Sequence, residues 1–259
     1  MPAELLTATS KTVLREAVAT DAEAIFSLKR SVFGDNYLLY TIYQAKQSLE
    51  FLRSLIAVQE FVVAERASKI VGYYNAVPRS RYLFINYIAV ARQAVSQGVG
   101  TMLLRNCAAK ARQIGYIGIE LDVFAGNRRA IDWYEQIGFE TVDDSYLYRV
   151  SLRDTAKSTI APVTTSDELD CALAEETRQG FSKLTCRYME QEILVGLIGG
   201  HTCKLLQSCG TLTDHESAGA IAALFPDRSY LILSPQTPPA ATLPVINCQR
   251  SIRMRKLIA

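Results

Sequence analysis

The segment from residue 82 to residue 123 constrains the chain most. An apolar run rich in aromatic and β-branched residues, YLFINYIAV, reads as a strand over Tyr82–Val90. The turn Val95-Ser96-Gln97-Gly98-Val99-Gly100-Thr101 follows it, then an amphipathic helix over 102–113 that Gly115 stops, then a strand over 117–123. A strand that leaves through a helix and returns to the same sheet lies parallel to its partner, because a tight hairpin cannot make that connection. The flanking signals are those of antiparallel pairs. Residues 61–64 and 70–77 face each other across a polar turn at 66–69, and 139–142 and 146–152 flank the acidic turn Asp143-Asp144. A first strand at 13–18 and helices at 22–33, 40–57 and 127–137 complete the order β-α-α-β-β-β-α-β-α-β-β. The expected class is α/β (α+β): a mixed, mostly antiparallel sheet with a parallel central pair, flanked by helices.

The remainder of the 259 residues reads as a smaller α/β domain. We expect a first domain over 1–152, a polar linker over 153–162 and a second domain over 163–259. In the last of these, Ser166 caps a helix to residue 177 and 183–197 forms a second helix. Strands follow at 218–224 and 230–233, then a proline-rich loop at 235–244 and a strand over 245–258. Arg250, Arg253 and Arg255 alternate along that last strand and read as a solvated face. With 28 Lys and Arg against 26 Asp and Glu, the chain lacks the basic field of a nucleic-acid binder. No apolar run approaches the length of a membrane span, and residues 1–15 lack the apolar centre of a secretory signal. A cytoplasmic protein is expected, and a homodimer is left open. None of the six cysteines stands in a CxxC pair, so reduced thiols are expected. His201, Cys203, Cys209 and His215 are potential metal ligands, but their spacing matches no closed zinc site, and no metal is expected.

The glycine turn carries the first chemical signal. Gly98 and Gly100 follow a strand and open a helix, so backbone N–H groups converge outside a helix terminus, an arrangement suited to a diphosphate. A glycine there also lets phosphate oxygens approach without meeting a Cβ. Alone, the pattern fits equally a strand–helix turn that uses glycine only for its backbone freedom.

The turn does not stand alone. After Leu121-Asp122-Val123 comes Asn127-Arg128-Arg129-Ala130-Ile131-Asp132-Trp133-Tyr134-Glu135-Gln136-Ile137-Gly138-Phe139. A Q/R-x-x-G-x-G-type turn followed by L-x-V-x-x-x-N-x-x-A-x-x-x-Y-E-x-x-G-F resembles the GCN5-related N-acetyltransferase (GNAT) superfamily. The second motif matches at Leu121, Val123, Asn127, Ala130, Tyr134, Glu135, Gly138 and Phe139, and the resemblance covers about residues 12–152. It implies a GNAT fold there and acetyl-CoA as co-substrate. Ile88, Ala89 and Val90 would lend backbone groups to the pantetheine arm. Val95, Ser96, Gln97, Gly98, Val99, Gly100 and Thr101 would hold the diphosphate. Asn127 and Ala130 would bind the arm, and Tyr134 would face the thioester sulfur.

That placement has a chemical logic. An amine attacks the thioester carbonyl, an oxyanion forms and a thiolate leaves. A backbone N–H near Val90 would stabilise the oxyanion, and a phenol with an ordinary pKa of about 10 can protonate the sulfur. The same tyrosine would serve equally as a core aromatic. Similarity to the ribosomal-protein N-terminal acetyltransferase branch implies a carboxylate base five residues before the motif Asn. Here that residue is Asp122, a methylene shorter than the Glu of that branch, so a water bridge is envisaged; Glu120, on the same strand face, is the fallback. One departure stands out: Val95 occupies the first position of the turn motif, where the family has Arg or Gln. The acceptor would be a primary amine, either a protein amino terminus or a small amine. The alternative is a non-catalytic acyl-CoA sensor. Residues 163–259 show no second glycine turn and no N-to-Y helix, so they are expected to form a degenerate, non-catalytic GNAT-like unit.

Overall fold

The computed structural model describes residues 11–38, 40–41, 43, 48–151, 164–165, 168–188, 191–205, 215–234 and 245–258. The expected linker at 153–162, the Ser166 cap, Cys209 and the loop at 235–244 lie outside these residues. The chain forms two compact units. The first is Met1–Gly34, Arg53–Glu120 and Leu257–Ala259; the second is Asp35–Leu52 and Leu121–Lys256.

In the first unit, β1 (Val13–Glu16), β2 (Glu60–Arg66), β3 (Lys69–Arg79) and β4 (Tyr82–Val90) are antiparallel neighbours in that order. Helix α1 (Ala22–Leu38) begins here and breaks at Gly34 (φ 66, ψ 165), while α2 (Ser48–Val58) runs across the unit boundary. Asp21 sets the entry to α1: its carboxylate accepts from Arg15 Nη1 at 2.6 Å, from Arg15 Nη2 at 2.9 Å and from the Val18 amide at 2.8 Å. Helix α3 (Val99–Ile114) packs on β2, β3 and β4 through Val99, Leu103, Leu104, Cys107 and Ala111, all buried. Gly72 on β3 permits that closeness. A Cβ there would stand 3.0 Å from Val99 Cγ1 and 3.1 Å from Leu103 Cδ1, tighter than packed side chains tolerate.

The second unit holds most of β5 (Gly118–Phe124), α4 (Arg128–Gln136) and β6 (Glu140–Val150). It continues with β7 (Thr164–Thr165), α5 (Leu169–Gln179), β8 (Phe181–Tyr188), β9 (Gln191–Ile198), β10 (Thr202–Leu205), α6 (His215–Leu224), β11 (Ser229–Ser234) and β12 (Val245–Leu257). Its strands follow the order β12-β6-β11-β10-β9-β8-β7, antiparallel except for β10 and β11, which are parallel. Both sheet segments are thus flanked by helices, and the expected mixed α/β class holds.

Four elements differ from the sequence expectation. The helix expected over 40–57 begins only at Ser48; residues 40, 41 and 43 are not helical. Residues 183–188 and 191–197 are not helical but belong to β8 and β9: Phe181, Leu184, Cys186 and Tyr188 are buried while Lys183 and Arg187 are exposed. Apolar residues four apart fit both periods, and here the period of two prevails. Residues 218–224 belong to helix α6 rather than a strand; the run SAGAIAAL is dominated by alanine, the strongest helix former. Asp143-Asp144 is not a turn. Both lie within β6, opposite Arg253 and Ile252 of β12, and a register shift marks a bulge beside them.

The arginines of β12 are correspondingly not a merely solvated face. Arg250 Nη2 lies 2.6 Å from Asp144 Oδ2, and Arg253 grips Asp122 with both Nε and Nη2 at 2.8 Å. Lys256 Nζ donates to the Ile137 carbonyl at the C-terminus of α4, where a cation also complements the helix dipole.

Candidate functional site

Helix α3 opens without a side-chain cap and without an acidic residue in its first turn. Its first helical bond runs from the Met102 amide to the Gly98 carbonyl at 2.9 Å, which leaves the Val99, Gly100 and Thr101 amides as first-turn donors. Gly98 (φ 79) and Ser96 (φ 63) are both left-handed, and a Cβ at Gly98 would meet nothing within 4 Å. The glycine is therefore required by its backbone angle, and the space outside it is open. Ser96, Gln97 and Gly98 are exposed, whereas Ala94 and Val99 are buried and fix the ends of the turn. Uncapped amides, a sixteen-residue helix and an open approach fit a diphosphate.

The strand before the turn carries an irregularity that sequence reasoning missed. Tyr87 pairs with Asn75 and Ile85 with Ala76, so Asn86 is an extra residue in β4. Its Nδ2 donates to Asn75 Oδ1 at 3.3 Å, and the buried Asn75 donates onward to Gln59 Oε1 and the Glu60 carbonyl, each at 3.1 Å. The signal was a lone Asn in an otherwise apolar run. Beyond this bulge Ile88, Ala89 and Val90 pair with Tyr74, Tyr73 and Gly72; Ala89 is buried, and Ile88 and Val90 are half-buried. Bulges re-aim a strand and are frequent beside active sites. Lys29 of α1 sits with Nζ 2.8 Å from the Tyr87 ring centroid, and burial drives its pKa well below the ordinary 10.5. Glu120, the fallback base, is buried in this unit.

In the second unit Asn127 caps α4, its Oδ1 accepting from the Ala130 amide at 3.3 Å. Tyr134 lies seven residues on and is buried, with its ring centroid 4.9 Å from Trp133 and 5.4 Å from Phe139. Burial first, and then the Tyr37 phenol, push Tyr134 well above the ordinary 10.0. Such a phenol keeps its proton at any physiological pH. Tyr37 itself is pushed up to about 12 by burial and by the Asp122 carboxylate, and its ring stands 4.8 Å from Phe124. Tyr37, Tyr134 and Asp122 thus share one neighbourhood of this unit. Tyr37 escaped sequence reading because only the chain's path after Gly34 brings it there. Asp122 is exposed, but both its oxygens accept from Arg253. The candidate zinc ligands are dispersed in character: Cys203 is fully buried in an apolar cluster, and His201 is an exposed turn residue whose Nδ1 lies 2.9 Å from Thr202 Oγ1. The described cysteines are free thiols.

Residues 23–139 match the model of the Acetyltransferase (GNAT) family. No curated protein matches the sequence. Among solved structures, the GCN5-related N-acetyltransferase from Sphaerobacter thermophilus superposes with a TM-score of 0.61 at 15% identity, over 95% of this chain and 95% of that one. The GCN5-related N-acetyltransferase from Kribbella flavida gives 0.57 at 13% identity, over 96% of this chain and 71% of that one. The PaiA N-acetyltransferase from Thermoplasma acidophilum, solved with coenzyme A, gives 0.47 at 17% identity, over 51% and 92%. At these identities the first two likenesses are of fold, and they extend over nearly the whole chain.

The family match defines an acyltransferase of the N-acetyltransferase type, with acetyl-CoA as its donor. Residues 23–139 carry a domain of the GNAT superfamily.

Proposed function

We propose that the protein acetylates a primary amine by direct attack on acetyl-CoA in a ternary complex. The observation that supports this most is the uncapped start of α3, entered through a left-handed Gly98 onto open space, within the residues that match the family model. Acetyl-CoA supplies an acetyl thioester when bound. The first-turn amides of Val99, Gly100 and Thr101 receive its diphosphate, while the Val95 and Gln97 amides already donate to the Arg92 and Ala94 carbonyls and shape the turn. Backbone groups of Ile88, Ala89 and Val90 align the pantetheine arm, and Asn127 and Ala130 hold the arm from the start of α4. The amine nitrogen bonds to the carbonyl carbon, the C–S bond breaks, and the sulfur takes the Tyr134 proton. The amine's proton leaves to a carboxylate. Asp122 is the candidate by motif position, with Glu120 as alternative, and Asp122 would first have to share its oxygens with Arg253.

The acceptor we propose is a protein amino terminus or a small amine. An α-amine with a pKa near 8 loses its proton more readily than a lysine, which favours the terminus. We also read residues 163–259 as a degenerate GNAT-like repeat. The order β7, α5, β8, β9, β10, α6, β11 repeats the order β1, helices, β2, β3, β4, α3, β5. Among the described residues its parallel strands pair without a break from Thr202↔Ser229 to Leu205↔Ile232.

Release of free thiol from acetyl-CoA, measured against a panel of peptides and small amines, tests the reading. Tyr134→Phe is expected to lower kcat by about 100-fold or more, the usual scale of a lost general acid, while CoA still binds. Undiminished turnover in that variant would overturn the role of Tyr134. CoA binding without turnover on any amine would favour an acyl-CoA sensor instead.

A further inference from the structure

The β2–β3 hairpin turns on Ala67 and Ser68, both left-handed (φ 48 and 58). Such angles suit Asn or Gly, so this turn is held under strain. It places Arg66, the last residue of β2, beside the glycine turn. Arg66 Nε donates to Thr12 Oγ1 at 2.8 Å, and Nη1 donates to the side-chain oxygen of Gln97. Gln97 is tied down in turn, its Nε2 donating to the Gln93 carbonyl at 2.7 Å. These bonds use two of the five guanidinium N–H donors, and the other three meet no acceptor among the described residues. No described carboxylate neutralises this cation, although it stands against the residue that precedes Gly98.

We propose that Arg66 binds a phosphate of CoA, replacing from the neighbouring hairpin the side chain that Val95 does not supply. This rests on the acetyl-CoA reading of the glycine turn. The guanidinium fork matches phosphate oxygens, and a charge-assisted bond to phosphate is stronger than the neutral bond to Gln97 that it would displace or join. Thr12 fixes the guanidinium plane before the ligand arrives, which lowers the cost of ordering it.

Calorimetric titration with CoA, 3′-dephospho-CoA and pantetheine tests the proposal on the full chain. Arg66→Ala is expected to weaken CoA binding about tenfold, equivalent to about 1.4 kcal/mol. Arg66→Lys should recover most of that loss at low salt, because the charge survives although the fork does not. With pantetheine, which has no phosphate, the difference between wild type and Arg66→Ala should vanish. A loss that persists with dephospho-CoA assigns Arg66 to the diphosphate, and one that disappears assigns it to the 3′-phosphate. Equal CoA affinity in wild type and Arg66→Ala overturns the proposal. So does a loss that Lys fails to rescue and that persists with pantetheine, since that marks Arg66 as a brace for the turn. A wild-type protein that binds no CoA overturns the reading of the site itself, a separate outcome.

Discussion

Asp21 shows how one carboxylate can fix a helix start. Its bonds to the Arg15 guanidinium, and then the Val18 amide, hold its pKa below the ordinary 3.8 against the opposing effect of burial. A depressed carboxylate contributes stability that is complete above its unfolded pKa and is lost as pH falls through the folded value. Asp21→Asn is expected to cost about 1–2 kcal/mol at pH 7, near the low end for charged hydrogen bonds. The low end applies because Arg15 is 38% exposed and its pairing is screened. The deficit should shrink once the pH drops below 3.8, as urea denaturation at several pH values would show. Gly98 was legible in the sequence for a related reason: only a few residue types accept its backbone angle, so the letter itself carries the conformation. Arg66, Asn86 and Tyr37 were not legible, because their roles depend on neighbours 31, 11 and many more residues away.

At the scale of elements, period and composition identified most strands and helices of residues 13–139 because each has a distinct partner face; the helix expected over 40–57 starts only at Ser48. Helix α3 buries Val99, Leu103, Cys107 and Ala111 along one stripe, and β2 to β4 are rich in β-branched and aromatic residues. The later segments misled for physical reasons. In β6 two adjacent aspartates resemble a turn until Arg250 and Ile252 of β12 are seen opposite Tyr146 and Asp144. In β8 a short apolar run fits either period and pairing with β9 decides, whereas in α6 the alanine-rich run favours the helix. Gly72 is the element-scale control of the candidate site, since it sets how near the N-terminus of α3 comes to β3. Gly72→Ala would bring a Cβ to 3.0–3.2 Å from Val99, Leu103 and the Ala89 carbonyl. The expected result is a loss of about 1–3 kcal/mol from overpacking, together with weaker CoA binding. Denaturation and titration of the same variant would register both, and an unchanged CoA affinity would separate the packing of α3 from its ligand.

For the molecule as a whole, the terminal strand matters more than its position suggests. β12 pairs with β6, grips Asp122 through Arg253 and caps α4 through Lys256. Residues near the end of the chain thereby brace the helix that carries Tyr134. No local pattern could announce this, because an alternating Arg strand looks the same whether its partners are water or aspartates. The Arg253 pair is the better protected, its side chain 21% exposed against 52% for Arg250. The likeness to the Sphaerobacter thermophilus structure, at 15% identity over 95% of both chains, is one of fold. The proposed function depends on the turn before α3 acting as an anion cradle. Calorimetric titration of acetyl-CoA into the wild type and Gly98→Ala tests that most directly. Saturable one-to-one binding by the wild type is expected, with Kd within the range of about 1 μM to 1 mM usual for enzyme substrates. Affinity at least about tenfold weaker is expected in the variant, since a left-handed alanine costs roughly 1–2 kcal/mol and its Cβ intrudes on the cradle. Equal affinity in the two proteins, or no heat from the wild type at millimolar acetyl-CoA, would contradict the cradle.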